Sequence, residues 1–90
     1  MKFEWDIRKA AINEQKHGVS FVEACTVFND EFASTVRDPD HSEEEVRYLT
    51  FGVSASGRSV VVSHTDRGDA IRIISARTMT PGERKAYEEP

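Results

Sequence analysis

Apolar and polar residues alternate first at the N-terminus, where Phe3 and Trp5 are interleaved with Lys2, Glu4 and Asp6. A period of two marks a short strand with one apolar face. Asp6 suits the cap of a helix. That helix has an apolar stripe of Ile7, Ala10 and Ala11 and carries Lys16 and His17 in its last turn, ahead of Gly18. Cations at that end complement the helix dipole, and the glycine supplies a left-handed stop. Ser20 and Glu23 have the spacing of a capping box. Phe21, Ala24, Cys25 and Phe28 follow at i, i+3, i+4 and i+7, which predicts a second helix that ends near Asn29 and Asp30. Four strands are expected beyond it, at residues 32–36, 46–55, 58–65 and 70–76. Between them lie the turn Asp38-Pro39-Asp40, a hydrophilic loop over 41–45, a tight hairpin at Ser56-Gly57 and a turn at Asp66-Arg67-Gly68-Asp69. Thr80 and Glu83 form another capping box, with Pro81 at the first helical position, and open a last helix over 81–88.

A short strand, two helices, a four-stranded antiparallel meander and a helix predict an α+β fold. The two N-terminal helices cover one sheet face, and the other face or its rim is left for the C-terminal helix and for function. The strand over 70–76 is expected at the centre of the meander. With 90 residues the chain is one domain, 1–90, with a small but sufficient core. The one cysteine, Cys25, excludes an internal disulfide, and its place on the helix reads as core rather than nucleophile. No run is as long as a membrane span and the first residues are not a signal peptide, so a cytoplasmic location is expected.

The net charge of −4 is unevenly spread. Residues 20–57 carry two positive and eight negative charges, whereas residues 58–85 carry six positive and three negative. A local basic surface attracts phosphate even on an acidic protein. Glu43, Glu44 and Glu45 invite a metal reading. Consecutive carboxylates without His, Cys or Asp at ligand spacing read instead as a solvated face, so neither metal nor cofactor is expected. Arg67-Gly68-Asp69 also matches an integrin-recognition tripeptide. The turn requires the glycine anyway, so the match reads as chance.

Walker, dinucleotide, Cys-x-x-Cys and His-Glu-x-x-His signatures are all missing. What remains is His64, Arg67, Arg72, Ser75, Arg77 and Tyr87 in the last third, with Lys16 and His17 at a helix end. That inventory suits metal-free RNA cleavage. A 2′-hydroxyl attacks the adjacent phosphorus, a base takes its proton, an acid protonates the leaving 5′-oxygen, and cations stabilise the phosphorane. Each residue also has a plain structural role open to it. His64 shares a strand face with Val60 and Val62 and could equally be a hydrogen-bonded core histidine. Arg67 could decorate a turn, and Arg72 could pair with a carboxylate across the sheet. Tyr87 could pack the last helix, and Lys16 and His17 could serve the helix dipole. Strict alternation puts Ser75 and Arg77 on one face with Ile71 and Ile73, and Arg72 on the other with Ile74.

Phe3-Glu4-Trp5-Asp6, Asn13, Lys16-His17-Gly18-Val19-Ser20-Phe21, Glu23-Ala24, Val27-Phe28 and Asp30 together resemble the N-terminal half of BrnT-type toxins. Arg47-Tyr48, Gly52, His64-Thr65-Asp66-Arg67-Gly68, Ile71 to Arg77, Glu83-Arg84 and Tyr87-Glu88 resemble the second half. The resemblance spans nearly the whole chain in order. It implies a RelE-like fold and a ribonuclease toxin of a bacterial type II toxin–antitoxin module that blocks translation. It also implies a BrnA-like antitoxin carrying a ribbon-helix-helix DNA-binding part, through which the complex reaches operator DNA. Transferred to matching positions, it makes His64 the proton-transfer group, Arg67 and Arg77 clamps on phosphate, and Ser75 an orienting group. Arg72, Lys16, His17, Arg84, Lys85 and Tyr87 become RNA-binding residues. Thr78-Met79-Thr80-Pro81-Gly82 departs from a family pattern that is more basic there. The thinner cationic surface and the acidic balance keep a second function open, a RelE-like module that binds antitoxin and regulates its operon without cutting RNA. A third reading is a plain structural domain.

Overall fold

The computed structural model describes residues 1–40 and 45–89. The elements are β1 (Lys2–Glu4), α1 (Ile7–His17), α2 (Phe21–Thr26) with a 3₁₀ turn at Val27–Asn29, β2 (Ser34–Arg37), β3 (Tyr48–Val53), β4 (Ser59–Arg67), β5 (Ala70–Thr78) and α3 (Pro81–Glu88). The α+β expectation holds, with one change. The five strands form a single sheet in the order β1-β5-β4-β3-β2, and β1 runs parallel to β5. The sheet is therefore mixed, and β4 rather than β5 is its central strand. The reason lies in the short first strand. It pairs with Ala70 to Arg72 and takes up the first third of the β5 edge that a four-stranded meander would leave open.

Local chemistry fixes most boundaries. Asp6 caps α1 by accepting from the N–H groups of Arg8 and Lys9 at 2.8 and 3.1 Å. Gly18, at φ +70°, ends the helix, with its N–H on Glu14 O. The stripe expected on α1 is not the buried one. Ile7 and Ala11 are exposed, and the inward residues are Ala10 and the polar Asn13. Ser20 accepts from Glu23 N at 3.0 Å, but the Glu23 carboxylate does not complete the capping box. It accepts instead from Arg58 Nε at 2.9 Å, Ser54 Oγ at 2.7 Å and Ser56 Oγ at 2.6 Å, tying α2 to the β3–β4 turn. Those bonds hold its carboxyl well below the usual range, at about 2, against the opposing effect of burial. Thr80 and Glu83 do form the full box on α3.

The β3–β4 connection is a four-residue turn, Ser54 to Gly57, rather than a two-residue hairpin, which ends β3 at Val53, and β3 starts at Tyr48 rather than Val46. The Asp30 carboxylate accepts from Phe32 N at 3.0 Å, so Phe32 belongs to a turn and β2 starts at Ser34. The turn at Asp38 closes through Asp40 N on its carboxylate at 3.0 Å. The loop expected over 41–45 lies, but for Glu45, outside the described residues. Among the described residues no helix is long and apolar enough to cross a membrane.

The helices α1 and α2 cover one sheet face. There Val19, Phe21, Ala24, Val27, Val60, Val62, Ile73 and Ala76 form the core. Burying each large apolar side chain contributes about 1.5–3 kcal/mol. Cys25 packs against this core, and burial pushes its thiol up from 9.0. Helix α3 lies on the reverse face, where Glu83, Ala86 and Tyr87 face Ser34, Val36 and Phe51.

Candidate active site

A β-bulge decides which side chains meet. His64 pairs with Ile73 and Ser63 pairs with Ser75, so Ile74 is the extra residue of β5. An extra residue reverses the in-out alternation beyond it. Ile73 and Ala76 both enter the core as a result, and Ser75 and Arg77 turn to the reverse face. The expectation that they share a face with Ile71 and Ile73 is overturned by the bulge. Thr65, opposite Arg72, Ser63, opposite Ser75, and Val61, opposite Arg77, complete that reverse face.

His64 is on the other side of the sheet. It is 5% exposed, with Phe28 against its ring edge at 5.0 Å and Tyr48 stacked at 5.8 Å. Its Nε2 lies 2.7 Å from Thr50 Oγ1, which lies 2.7 Å from Thr35 Oγ1, and its Nδ1 is buried without a hydrogen-bond partner. An unmet N–H costs more to bury than a bare ring nitrogen, so the neutral tautomer carries its proton on Nε2 and donates to Thr50. Burial lowers its pKa from 6.5, only partly opposed by the charge of Asp66. The sheet separates this imidazole from the arginines with which it was expected to act.

Several other expected site residues are already satisfied. Arg72 Nη1 donates to Glu4 at 2.7 Å, the carboxylate pairing open to it in the sequence. Arg77 donates from both Nη atoms to Glu83, at 2.7 and 2.9 Å. Tyr87 donates its hydroxyl to Asp30, which raises the phenol, mainly through burial, to about 12 and lowers the carboxyl. Arg67 stands exposed at the end of β4. On α3, Arg84 and Lys85 are exposed, and Arg84 has a long ion pair with Glu88 at 3.9 Å.

Lys16, His17 and Ser75 are brought together. They line a cleft of about 230 Å³ with Lys9, Ile12 and Asn13 of α1 and Ile74 of β5. Its construction follows from three features. Residues 9, 12, 13 and 16 share one helix face by their spacing. Strand β1 ends at Glu4, so β5 has no strand partner on that edge beyond Arg72. Asn13 takes the partner's place. Its amide nitrogen donates to Ala76 O at 2.8 Å and Val19 O at 3.0 Å, and its oxygen accepts from Ala76 N at 3.1 Å. The bulge at Ile74 then leaves Ser75 at the lip. Lys9, Lys16 and His17 are exposed and have no ion-pair partner among the described residues. The cleft is thus lined by two ammonium groups and an imidazole, with Ser75 at its lip. Lys9 and Asn13 were not singled out for this role by the sequence. The signal for both was their spacing from Lys16 on one helix. Among the described residues no three His, Cys, Asp or Glu side chains are placed to hold a metal ion.

Comparison with known proteins bears on the family and the fold. The family model described as the ribonuclease toxin BrnT of type II toxin–antitoxin systems matches residues 5–83. Both the Lys-His-Gly block and the Ile-Ile-Ser-Ala block that meet in the cleft fall inside that match. No curated protein sequence matches. Among solved structures, the ribonuclease toxin BrnT of Brucella abortus, a 1.1 Å crystal structure, is similar in fold. The identity is 24% and the TM-score 0.66, over 89% of this chain and 97% of that one.

Proposed function

Because the chain belongs to the family of BrnT ribonuclease toxins of type II toxin–antitoxin systems, we propose that it cuts RNA in the α1–β5 cleft without a metal ion and thereby arrests translation. The observation that carries this reading is that Lys9, Lys16 and His17, which have no ion-pair partner among the described residues, line one cleft with Ser75 at its lip. In the reaction the ribose 2′-oxygen bonds to phosphorus and the phosphorus–5′-oxygen bond breaks. The products are a 2′,3′-cyclic phosphate and a free 5′-hydroxyl. His17 moves a proton at one of the two oxygens and a water molecule at the other, so the proton lost by the 2′-hydroxyl is balanced by the one gained by the leaving 5′-oxygen. The ammonium groups of Lys9 and Lys16 face the extra negative charge of the phosphorane, and Ser75 orients a phosphate oxygen. His64 acts from beneath, as a packed core group. The toxin works in the cytoplasm and is held inactive by a BrnA-like antitoxin whose ribbon-helix-helix part binds operator DNA.

A second reading, a module that binds antitoxin without cutting, is favoured by one observation. His64, Arg72, Arg77 and Tyr87 are all engaged within the protein. Expression in bacteria separates the two. On the first reading the wild type stops growth, co-expressed antitoxin restores it, and Lys16→Ala with His17→Ala abolishes the arrest. Growth unaffected by the wild type, together with a stable antitoxin complex, would select the second.

A further inference from the structure

Helix α3 is attached in an unusual way. None of its residues is buried. A groove of about 310 Å³, lined by Ser34, Val36, Phe51, Ala86 and Tyr87, remains beside it. Two polar ties hold it, Glu83 to Arg77 near its start and Tyr87 to Asp30 near its end. The first tie concerns the site directly. Arg77 stands two residues beyond Ser75 on the same strand and therefore on the same face, so the two lie about 7 Å apart. A bidentate carboxylate occupies the donor fork that a phosphate would use. Arg77 nevertheless keeps 40% of its side chain exposed, and Glu83 keeps 27%, so an incoming anion can reach the pair.

We propose that Arg77 is a second phosphate contact for the RNA strand, masked in the free protein by Glu83, with α3 as the removable mask. This rests on the reading of the α1–β5 cleft as the RNA site. When RNA passes over the Ser75 lip, its next phosphate exchanges places with the Glu83 carboxylate on the Arg77 guanidinium. The helix start survives the exchange, because Thr80 still caps Glu83 N at 3.2 Å. The mask is not a pH switch in the physiological range. Arg77 itself, with the backbone and side chain of Thr80, holds the Glu83 carboxyl at about 2 despite burial, so it stays charged.

The test is equilibrium binding of a single-stranded RNA with 2′-O-methyl riboses, which cannot be cut. Glu83→Gln removes the charge but keeps a capping side chain. It is expected to bind about three- to tenfold tighter than wild type, because the phosphate no longer competes with a carboxylate for the Arg77 guanidinium. In an Arg77→Gln background the same change brings no gain. Glu88→Gln, which removes an equal charge from α3 without touching Arg77, brings at most a small one. Tyr87→Phe loosens the other tie at constant charge and gives a smaller gain, which decides the matter if Glu83→Gln does not fold. Unchanged or weaker binding by Glu83→Gln, or a gain that persists without Arg77, overturns the mask while leaving the cleft as the RNA site. Failure of every form to bind RNA overturns both.

Discussion

At His64 one imidazole faces two opposed demands, burial against Phe28 and Tyr48 and the need of its nitrogens for partners. The Thr50–Thr35 chain answers for Nε2 and leaves Nδ1 bare. Protonation would place a charge in an apolar setting, so the folded pKa falls below 6.5, the ordinary value that the unfolded chain keeps. The unfolded state then binds the proton more readily. This contribution to stability is fully present above pH 6.5 and is lost as pH falls through the depressed folded value. Urea midpoints measured from pH 8 to 5 should therefore drop on the acid side, ahead of carboxylates that titrate near 4.5 when unfolded. NMR titration of the folded protein should show the His64 ring gaining its proton below 6.5. A ring that titrates at or above that value would mean that burial does not govern it.

At the scale of elements, α1 is secured to β5 chiefly through Asn13. One side chain supplies three hydrogen bonds to backbone that no strand reaches. Asn13→Ala leaves two carbonyls and one N–H with no protein partner, a loss of roughly 2–4 kcal/mol by the cost of unmet buried groups. Chemical denaturation measures it, and a change below about 0.5 kcal/mol, within the range of a neutral surface substitution, would contradict the role. The sequence made the caps, the number of helices and strands and the α2 core face legible, because each depends on near neighbours. It did not reveal the buried face of α1, since the inward residue is a polar one matched to a sheet edge 63 positions away. Nor did it reveal the bulge at Ile74, a property of the pairing between two strands. Alternation read along β5 alone therefore put Ser75 and Arg77 on the wrong face. The cleft was half legible. Lys16, His17 and Ser75 stood out by chemistry, while their meeting depended on where β1 ends.

At the scale of the whole molecule, an acidic chain of net charge −4 has a small cleft lined by Lys9, Lys16 and His17. The separation is spatial as well as sequential. Arg58, Arg72 and Arg77 are each matched by a carboxylate, Glu23, Glu4 and Glu83. Lys9, Lys16 and His17 have no such partner among the described residues. On the proposed reading, long-range attraction of RNA is weak and short-range contacts in the cleft carry recognition. The account rests on that cleft being the seat of RNA cleavage. Its most direct test is to incubate the purified protein with single-stranded RNA in excess chelator and determine the chemistry of the product ends. Wild type should yield 2′,3′-cyclic phosphate and 5′-hydroxyl ends, and His17→Ala should lower the rate by about 10²–10⁴-fold, the usual worth of a general acid or base. Cleavage that vanishes with chelator, or a His17→Ala protein that cuts as fast as wild type, would contradict it.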